Sequence, residues 1–481
     1  MVARTQNPTT VDILIRSGLI VPMDDVSHIL YDGALAIDQG RIVAVAPTAE
    51  LVEQFSGLKT IDACHQAVLP GLINTHHHFL QNFLKGAPDH VPFPDWIDQV
   101  SAPRIVVAVQ DYLAGEYGLQ YQATRMGCIE ALKSGTTCIL NMEWATPPEV
   151  ISVYEALGIR VVHALTLTDN DEWQRPGMLL PLEVAFELAE QLRARCQESV
   201  GGRVTFRYGP ACENSTTPGL LRQVRALANQ HGVGIHMHIA ESKYGWDNIH
   251  RQHGKSPVRY LHDLGLLGPD VLGAHLIWLA DDDIQILKET GATVSYNPEC
   301  HMKLALGISP IVKMLEFGIP VSLGTDSTAV NDNMDLFEAA RVGAFLQKLS
   351  NSDPTVVPAY QALEMATIGG AKALGLADEI GSLEVGKKAD VILVDLTGAH
   401  LRPINSIVNN LVYSASAPSD VKTVIVDGEV VVEDRQLVAC DEQAVLAEAE
   451  EFAFRRFERA GLERPAYYHV SHVSNDSNDD Q

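Results

Sequence analysis

Positive charge is scarce in this chain. Only 35 Lys and Arg stand against 61 Asp and Glu over 481 residues, a formal charge of −26. A field of that sign repels phosphate backbones and anionic headgroups, so nucleic acid and acidic membrane surfaces are excluded as main partners. Cysteine is sparse as well. The seven cysteines (Cys64, Cys128, Cys138, Cys196, Cys212, Cys300 and Cys440) are odd in number, scattered and without a CxxC pair. That pattern argues against a disulfide framework or a cysteine-held zinc, and it fits a reducing cytosol. No run of about 18 apolar residues occurs, and the first residues carry no apolar segment leading to a small-residue cleavage site. The expectation is a soluble, cytoplasmic protein. Internal repeats with a period of roughly 20–50 residues are also missing, which excludes solenoids and propellers.

Hydrophobic residues are abundant, at 46% of the chain, and their spacing changes along it. From Val11 to about Pro70 the runs VDILIRSGLIVPM, GALAIDQGRIVAVA and TIDACHQAVLP read as short strands, with a turn at Asp38 to Gly40. From Gly71 to about Leu374, β-rich runs alternate with amphipathic helices. The strand candidates are LINTH (72–76), TTCILNM (136–142), VVHALTL (161–167), VTFRYGP (204–210), GIHMHIA (234–240), VLGAHLI (271–277), TVSYNPE (293–299) and VSLGTD (321–326). Helical stretches lie between them: YLAGEYGLQYQATRMGCIEALKSG, LEVAFELAEQLRARC, TPGLLRQVRALANQHG and DDIQILKETG. Eight alternations predict a (β/α)8 barrel of the TIM type, with its chemistry at the C-terminal ends of the strands.

Strand texture returns at GSLEVGKKADVILVDL and VKTVIVDGEVVVEDRQLV, too late for a barrel strand. Pairing these with the N-terminal strands makes the barrel an insertion in a β-sandwich built from both chain ends. The expected organisation is sandwich at 1–69, barrel at 70–375, sandwich again at 376–440, a helix at 441–468 and a disordered tail at 469–481. The fold class is thus α/β.

His76 and His78, two apart at the end of the first barrel strand, share one face and point into the barrel mouth, while His77 points away. A lone HxH says little, since buried histidines commonly serve as hydrogen-bond partners. Four further residues fall on the same rim: His238 ends the fifth strand with Glu241 three residues on, His275 ends the sixth, and Asp326 ends the eighth. Neutral imidazoles with a carboxylate suit Zn²⁺ or Fe²⁺, and a position left open for water distinguishes a catalytic metal from a structural one.

PGLINTHHHFLQ, MHIAES, GAHL, SLGTDS with Asn331 following, and the late GSLEVGKKADVILVDL resemble the amidohydrolase superfamily. The likeness is to its branch of guanine and S-adenosylhomocysteine deaminases, atrazine chlorohydrolase and triazine hydrolases, and it runs from about residue 11 to 440. The resemblance implies that His76, His78, His238 and Asp326 ligate one divalent metal per chain, zinc foremost and iron as the alternative. Glu241 and His275 would flank its water. Binuclear relatives use a lysine at the fourth strand, and VTFRYGPACE has none, so one metal is expected. In the implied reaction Asp326 takes a proton from the water, Glu241 serves the ring nitrogen and the leaving amine as acid and base, and His275 orients the attack. The catalytic set is Glu241, His275 and Asp326.

Loops after the strands offer Gln81, Trp96, Glu143, Trp144, Cys212, Glu213, Trp278, Tyr296, Cys300, His301 and Ser327 as pocket candidates. Of these, Gln81, Trp96, Trp144, Trp278, Tyr296, His301 and Ser327 are the expected substrate contacts, with Trp and Tyr suited to stacking on a planar heterocycle. Three positions depart from the branch's pattern. Gly209-Pro210 is followed by Ala211-Cys212-Glu213 where nucleoside deaminases tend to have His, His-Asn-Pro becomes Tyr296-Asn297-Pro298, and Ala-Ser-Asn becomes Ala329-Val330-Asn331. The sequence therefore leans towards a free base or triazine-like ring. The expected activity is hydrolytic deamination of a purine, pyrimidine, pterin or s-triazine. The alternatives are a chlorohydrolase, an alkylaminohydrolase or a cyclic amidase on the same site, or an inactive scaffold that binds partners only. The resemblance also implies a homodimer or larger homo-oligomer.

Overall fold

Parallel strands covered on both faces are buried almost throughout, whatever their residue type, and the middle of the chain supplies eight such segments. In the computed structural model, which describes residues 8–25, 28–88, 91–170 and 176–462, they are β6 (Leu72–His77), β7 (Thr136–Glu143), β8 (Arg160–Leu167), β9 (Val204–Pro210), β10 (Gly234–Ile239), β11 (Val271–His275), β12 (Thr293–Tyr296) and β13 (Val321–Leu323). They pair in sequence order as one parallel sheet. β6 and the segment from β13 to Asp326 meet at the seam through side-chain and backbone bonds. Thr75 donates to Leu323 O at 2.9 Å, Asn74 Oδ1 accepts from Thr325 N–H at 3.1 Å, and Asp326 N–H donates to His76 O at 3.0 Å. The nearly closed barrel is thus joined by the segments that carry His76 and Asp326.

The two ends of the chain form a second sheet. It contains β1 (Thr9–Ile20), β2 (Leu30–Asp38), β3 (Arg41–Pro47), β4 (Phe55–Asp62) and β5 (Gln66–Pro70) from the N-terminal side. From the C-terminal side come β14 (Val391–Asp395), β15 (Val421–Val426), β16 (Glu429–Glu433) and β17 (Gln436–Leu437). It is one continuous mixed sheet of nine strands in which β5 and β14 pair antiparallel, Leu69 opposite Ile392. Side chains alternate between two cores, as the period of a strand requires. Val68, Val391 and Leu393 pack in the sheet's own apolar layer, whereas Leu69, Ile392 and Val394 join the barrel's core. The expected turn at Asp38 to Gly40 closes the β2–β3 hairpin, with Gln39 at φ 50° and Gly40 at φ 75°. A buried ion pair ties the sheet to the barrel floor: Arg160 Nε reaches Asp390 Oδ2 at 2.9 Å and Arg160 Nη2 reaches Oδ1 at 3.0 Å.

Two elements differ from the sequence reading. A short helix, Thr48–Gln54, interrupts the N-terminal strands; it buries only Leu51, too little to leave an amphipathic trace. The stretch read as one helix from Tyr112 to Gly135 is broken at Gly115, whose φ of 74° ends the helix Ala102–Ala114 before a second helix, Gly118–Lys133, begins. The C-terminal helix Glu442–Arg459 buries Val445, Ala449, Ala453 and Phe457, one residue per turn, and lies on Gly118–Lys133. A Cβ at Gly118 would come within 2.4 Å of the Phe452 ring, so glycine permits this close packing. The expected tail at 469–481, and the end of the helix expected to reach 468, lie outside the described residues. No helix among the described residues is long and apolar enough to cross a membrane.

Candidate active site

The strand ends bring His76, His78, His238, His275 and Asp326 into one buried cluster. His76 Nε2 lies 3.6 Å and His78 Nε2 3.7 Å from Asp326 Oδ1, and His275 Nε2 lies 3.9 Å from Asp326 Oδ2. His78 Nε2 and His238 Nε2 are 3.3 Å apart. Several residues here hold backbone conformations that side chains disfavour: Ala240 at φ 52°, His275 at 76°, Leu276 at 48° and Asp326 at 57°. Non-glycine residues in this region cost of order 1 kcal/mol or more each. Their concentration at one rim marks a place where side-chain direction outweighs local comfort.

Hydrogen bonds behind the rings fix which nitrogen carries the proton. His78 Nδ1–H donates to Met142 O at 2.5 Å, and His238 Nδ1–H donates to Ala211 O at 2.6 Å. His76 has a histidine behind it: His236 Nδ1–H donates to Leu272 O at 3.0 Å, so its Nε2 accepts from His76 Nδ1–H at 2.8 Å. Each of the three therefore turns an Nε2 lone pair inward. Lone pairs converging at such distances repel unless a cation lies between them, and His76 Nε2 is buried with no partner of its own. Backbone carbonyls holding the distal N–H are the usual support of metal-ligating histidines. Burial lowers the pKa of all four cluster histidines, which favours the neutral ring, the form a metal ligand needs at His76, His78 and His238. The donor set of three imidazoles and one carboxylate fits a divalent metal.

Glu241 stands beside the cluster, with Oε1 3.7 Å from His275 Nε2. Burial, then the charges of Asp326 and Glu213, push its carboxyl well above the ordinary carboxylate range, which favours the protonated acid. Asp326 is also raised by burial, against which the Cys300 thiol, His238 and the Ser327 N–H hold it down; that N–H donates to Asp326 Oδ1 at 2.7 Å. The cluster opens on a cavity of about 540 Å³, a size typical of small-molecule sites. His78, His238, Glu241 and Asp326 line its floor, and Phe93, Trp96, Ile97, Ile105, Met178 and Leu304 give it apolar walls.

The profile of the amidohydrolase family matches residues 67–431, from the last N-terminal strand across the barrel into β16. The chain belongs to the amidohydrolase family. It is 38% identical to the 5'-deoxyadenosine deaminase of Methanosarcina barkeri over 448 residues, 92% of this chain and 98% of that protein. It is 37% identical to the 5-methylthioadenosine/S-adenosylhomocysteine deaminase of Syntrophomonas wolfei over 442 residues, again 92% and 98% of the two chains. Among solved structures, an adenosine deaminase from Xanthomonas campestris with bound zinc superposes with a TM-score of 0.87 at 29% identity, covering 94% of this chain and 100% of that one.

In this amidohydrolase, Gln81, Trp96, Trp144, Cys212, Glu213 and Ser327 line the cavity as the sequence suggested. Trp278, Tyr296 and His301 do not, which corrects their expected place at the substrate. Trp278 is turned away to donate Nε1–H to Leu306 O at 2.8 Å. Tyr296 alternates with Ser295, whose Oγ faces Thr75 inside the barrel, so the tyrosine points outward and its hydroxyl accepts from Gln347 Nε2. His301 lies behind His275, at 3.2 Å from its Nδ1. Glu143 and Cys300 are buried off the cavity as well. His77 points out of the cluster, as its place between His76 and His78 predicts; its Nδ1 donates to Asp326 O at 2.5 Å and holds the seam. Sequence reasoning does not single out three positions, His236 behind the cluster and Ile105 and Met178 in the cavity wall. His236 precedes His238 by two and shares its face, so the HMH run held that signal. The walls Ile105 and Met178 come from segments distant in sequence and left no local trace.

Proposed function

We propose that this chain is a metal-dependent aminohydrolase that deaminates a purine nucleoside with an apolar 5′ substituent. The observation that carries this reading is the inward convergence of three imidazole lone pairs and Asp326 on the floor of a cavity that Glu241 overlooks. His76, His78, His238 and Asp326 would hold one divalent metal, with zinc foremost. A metal bound there supplies Lewis acidity and an acidified water.

The chain's own groups then divide the remaining work. Asp326, held by the Ser327 N–H, accepts a proton from the attacking water. Glu241 enters protonated, gives its proton to the ring nitrogen beside the carbon under attack, and relays one to the departing amine. His275 faces both carboxyl groups and orients the attacking oxygen. Ammonia leaves, and the amino-substituted carbon becomes a carbonyl.

The relatives named for 5'-deoxyadenosine and for 5-methylthioadenosine or S-adenosylhomocysteine favour a nucleoside over the free base suggested by the Ala211-Cys212-Glu213 run. The cavity supports this. Its apolar side, with Phe93, Ile97, Ile105 and Met178, suits a deoxy or thioether 5′ position better than a hydroxyl or phosphate. The test is ammonia release from adenine, adenosine, 5'-deoxyadenosine, 5'-methylthioadenosine and an aminotriazine. It is run on protein as purified, after chelator dialysis, and after zinc is returned. Activity concentrated on the 5'-modified nucleosides, lost with chelator and regained with zinc, supports the reading. Turnover of the free base or triazine alone would replace the substrate assignment, and full activity after verified metal removal would overturn the mechanism.

A further inference from the structure

The four histidines of the cluster are not equivalent. His76, His78 and His238 each have an acceptor behind the ring, which leaves an Nε2 lone pair facing the centre. His275 has an amide donor behind it. Asn297 Nδ2, a group with no acceptor capacity, lies 3.3 Å from His275 Nδ1, and Asn297 Oδ1 is engaged by Ser295 Oγ at 3.3 Å. The second neighbour of His275 Nδ1 is His301 Nε2, at 3.2 Å, while His301 Nδ1 is buried without a partner. In front, His275 Nε2 faces Glu241 Oε1 at 3.7 Å and Asp326 Oδ2 at 3.9 Å and makes no other bond.

We propose that Asn297 and His301 are positioning residues that hold His275 in its Nε2–H tautomer, the form in which the ring can orient the attacking oxygen. The geometry acts from both sides. An amide N–H behind the ring requires a lone pair on Nδ1, and two carboxyl groups in front attract an N–H and repel a lone pair. With His275 Nδ1 accepting, His301 must donate through Nε2, which leaves its Nδ1 as the bare nitrogen without a partner. Distance alone would group His275 with His76 and Asp326 as a possible ligand triad. The polarity of its neighbours separates it from that triad and leaves three imidazoles for one metal. The kinetic consequence rests on the aminohydrolase reading; the tautomer does not.

The test is 15N spectroscopy of histidine-labelled protein, with the His275 signals assigned by their loss in His275→Gln, recorded with zinc bound and after chelator dialysis. The expected result is a pyrrole-type Nε2 and a pyridine-type Nδ1 for His275 in both states. Asn297→Asp, nearly the same shape, replaces the donor with an acceptor and should reverse the two signals. In the deaminase assay it should lower kcat about 100-fold, the scale of losing one oriented donor, while KM stays within about 3-fold. His301→Gln, which keeps a donor, should retain kcat within about 5-fold, and His301→Leu should lose about 10-fold or more. Nδ1 protonation of His275 in the unaltered protein overturns the proposal. So does an Asn297→Asp protein that keeps both tautomer and kcat. Should no substrate of the panel be deaminated, the aminohydrolase reading fails while the spectra still decide the tautomer. Should Asn297→Asp not fold, the unaltered protein and the His301 pair decide it.

Discussion

Replacing Glu241 by Gln separates proton transfer from everything else that the site does. The side chains have the same shape, and Glu241 stands outside the tight groups formed by His76, His78, His238, His275 and Asp326, so metal content should be unchanged. The amide still donates a hydrogen bond to a ring nitrogen, which predicts a KM within about 3-fold of the unaltered protein, because that contact is worth only about 1 kcal/mol. What disappears is a proton that can be transferred. Burial and the neighbouring charges of Asp326 and Glu213 favour the protonated form of Glu241; Glu213 is also raised, to about 7, but its Oε1 accepts from Ala240 N–H, whereas Glu241 Oε1 faces His275 Nε2 at 3.7 Å. A positioned acid and base contributes about 100- to 10,000-fold, so kcat should fall by about 3–5 kcal/mol of barrier. The assay is ammonia release on zinc-quantified samples, together with chloride release from a 6-chloropurine nucleoside. Chloride departs without a proton, so the loss on that substrate should be smaller. A variant that retains kcat within about 5-fold, or one that loses its metal, refutes the assignment of Glu241 as the acid and base.

Asp326→Asn should lose both metal and turnover, since its carboxylate reaches two of the cluster imidazoles; normal metal content would remove it from the ligand set. Trp96→Ala, at a buried cavity wall, should raise KM for planar substrates by about 2- to 10-fold, equivalent to roughly 0.5–1.5 kcal/mol of stacking, and an unchanged KM would place the ring elsewhere. Glu143 is pushed by burial from 4.5 to about 8, so the folded state binds its proton more tightly than the unfolded state does. Stability from this group is full below pH 4.5 and lost as pH rises towards about 8, by at most ~1.4 kcal/mol per pH unit, and Glu143→Gln should flatten the fall of Tm between those limits. Asp390→Asn strips the bidentate partner from buried Arg160, leaving it only Asp427 at 3.8 Å, and should cost about 3 kcal/mol in thermal or denaturant unfolding; a change under about 1 kcal/mol would show that the pair is not what joins sheet and barrel.

The parts of this protein that the sequence exposes are those governed by local periodicity. Barrel strands announce themselves because each is a β-rich run between amphipathic helices, and the cluster residues do so because they end those strands at fixed parity, as His76 and His78 show. Parity could have carried the reading further. His236 shares the face of His238, and Tyr296 follows the inward Ser295, so one belongs with the cluster and the other cannot reach the cavity. Gly115 and the helix Thr48–Gln54 were hidden for the opposite reason: a glycine inside an apolar pattern does not reveal its φ, and a helix burying one leucine has no period to detect. What no periodicity encodes is polarity. His78 and His275 are both histidines at strand ends facing Asp326, and their letters are identical. One is backed by the Met142 carbonyl and offers a lone pair; the other is backed by the Asn297 amide and offers a proton. That difference comes from residues on other strands, β7 behind His78 and the segment after β12 behind His275. Which group a strand-end ring turns towards the cluster is therefore a property of how the barrel closes, set by what stands behind it.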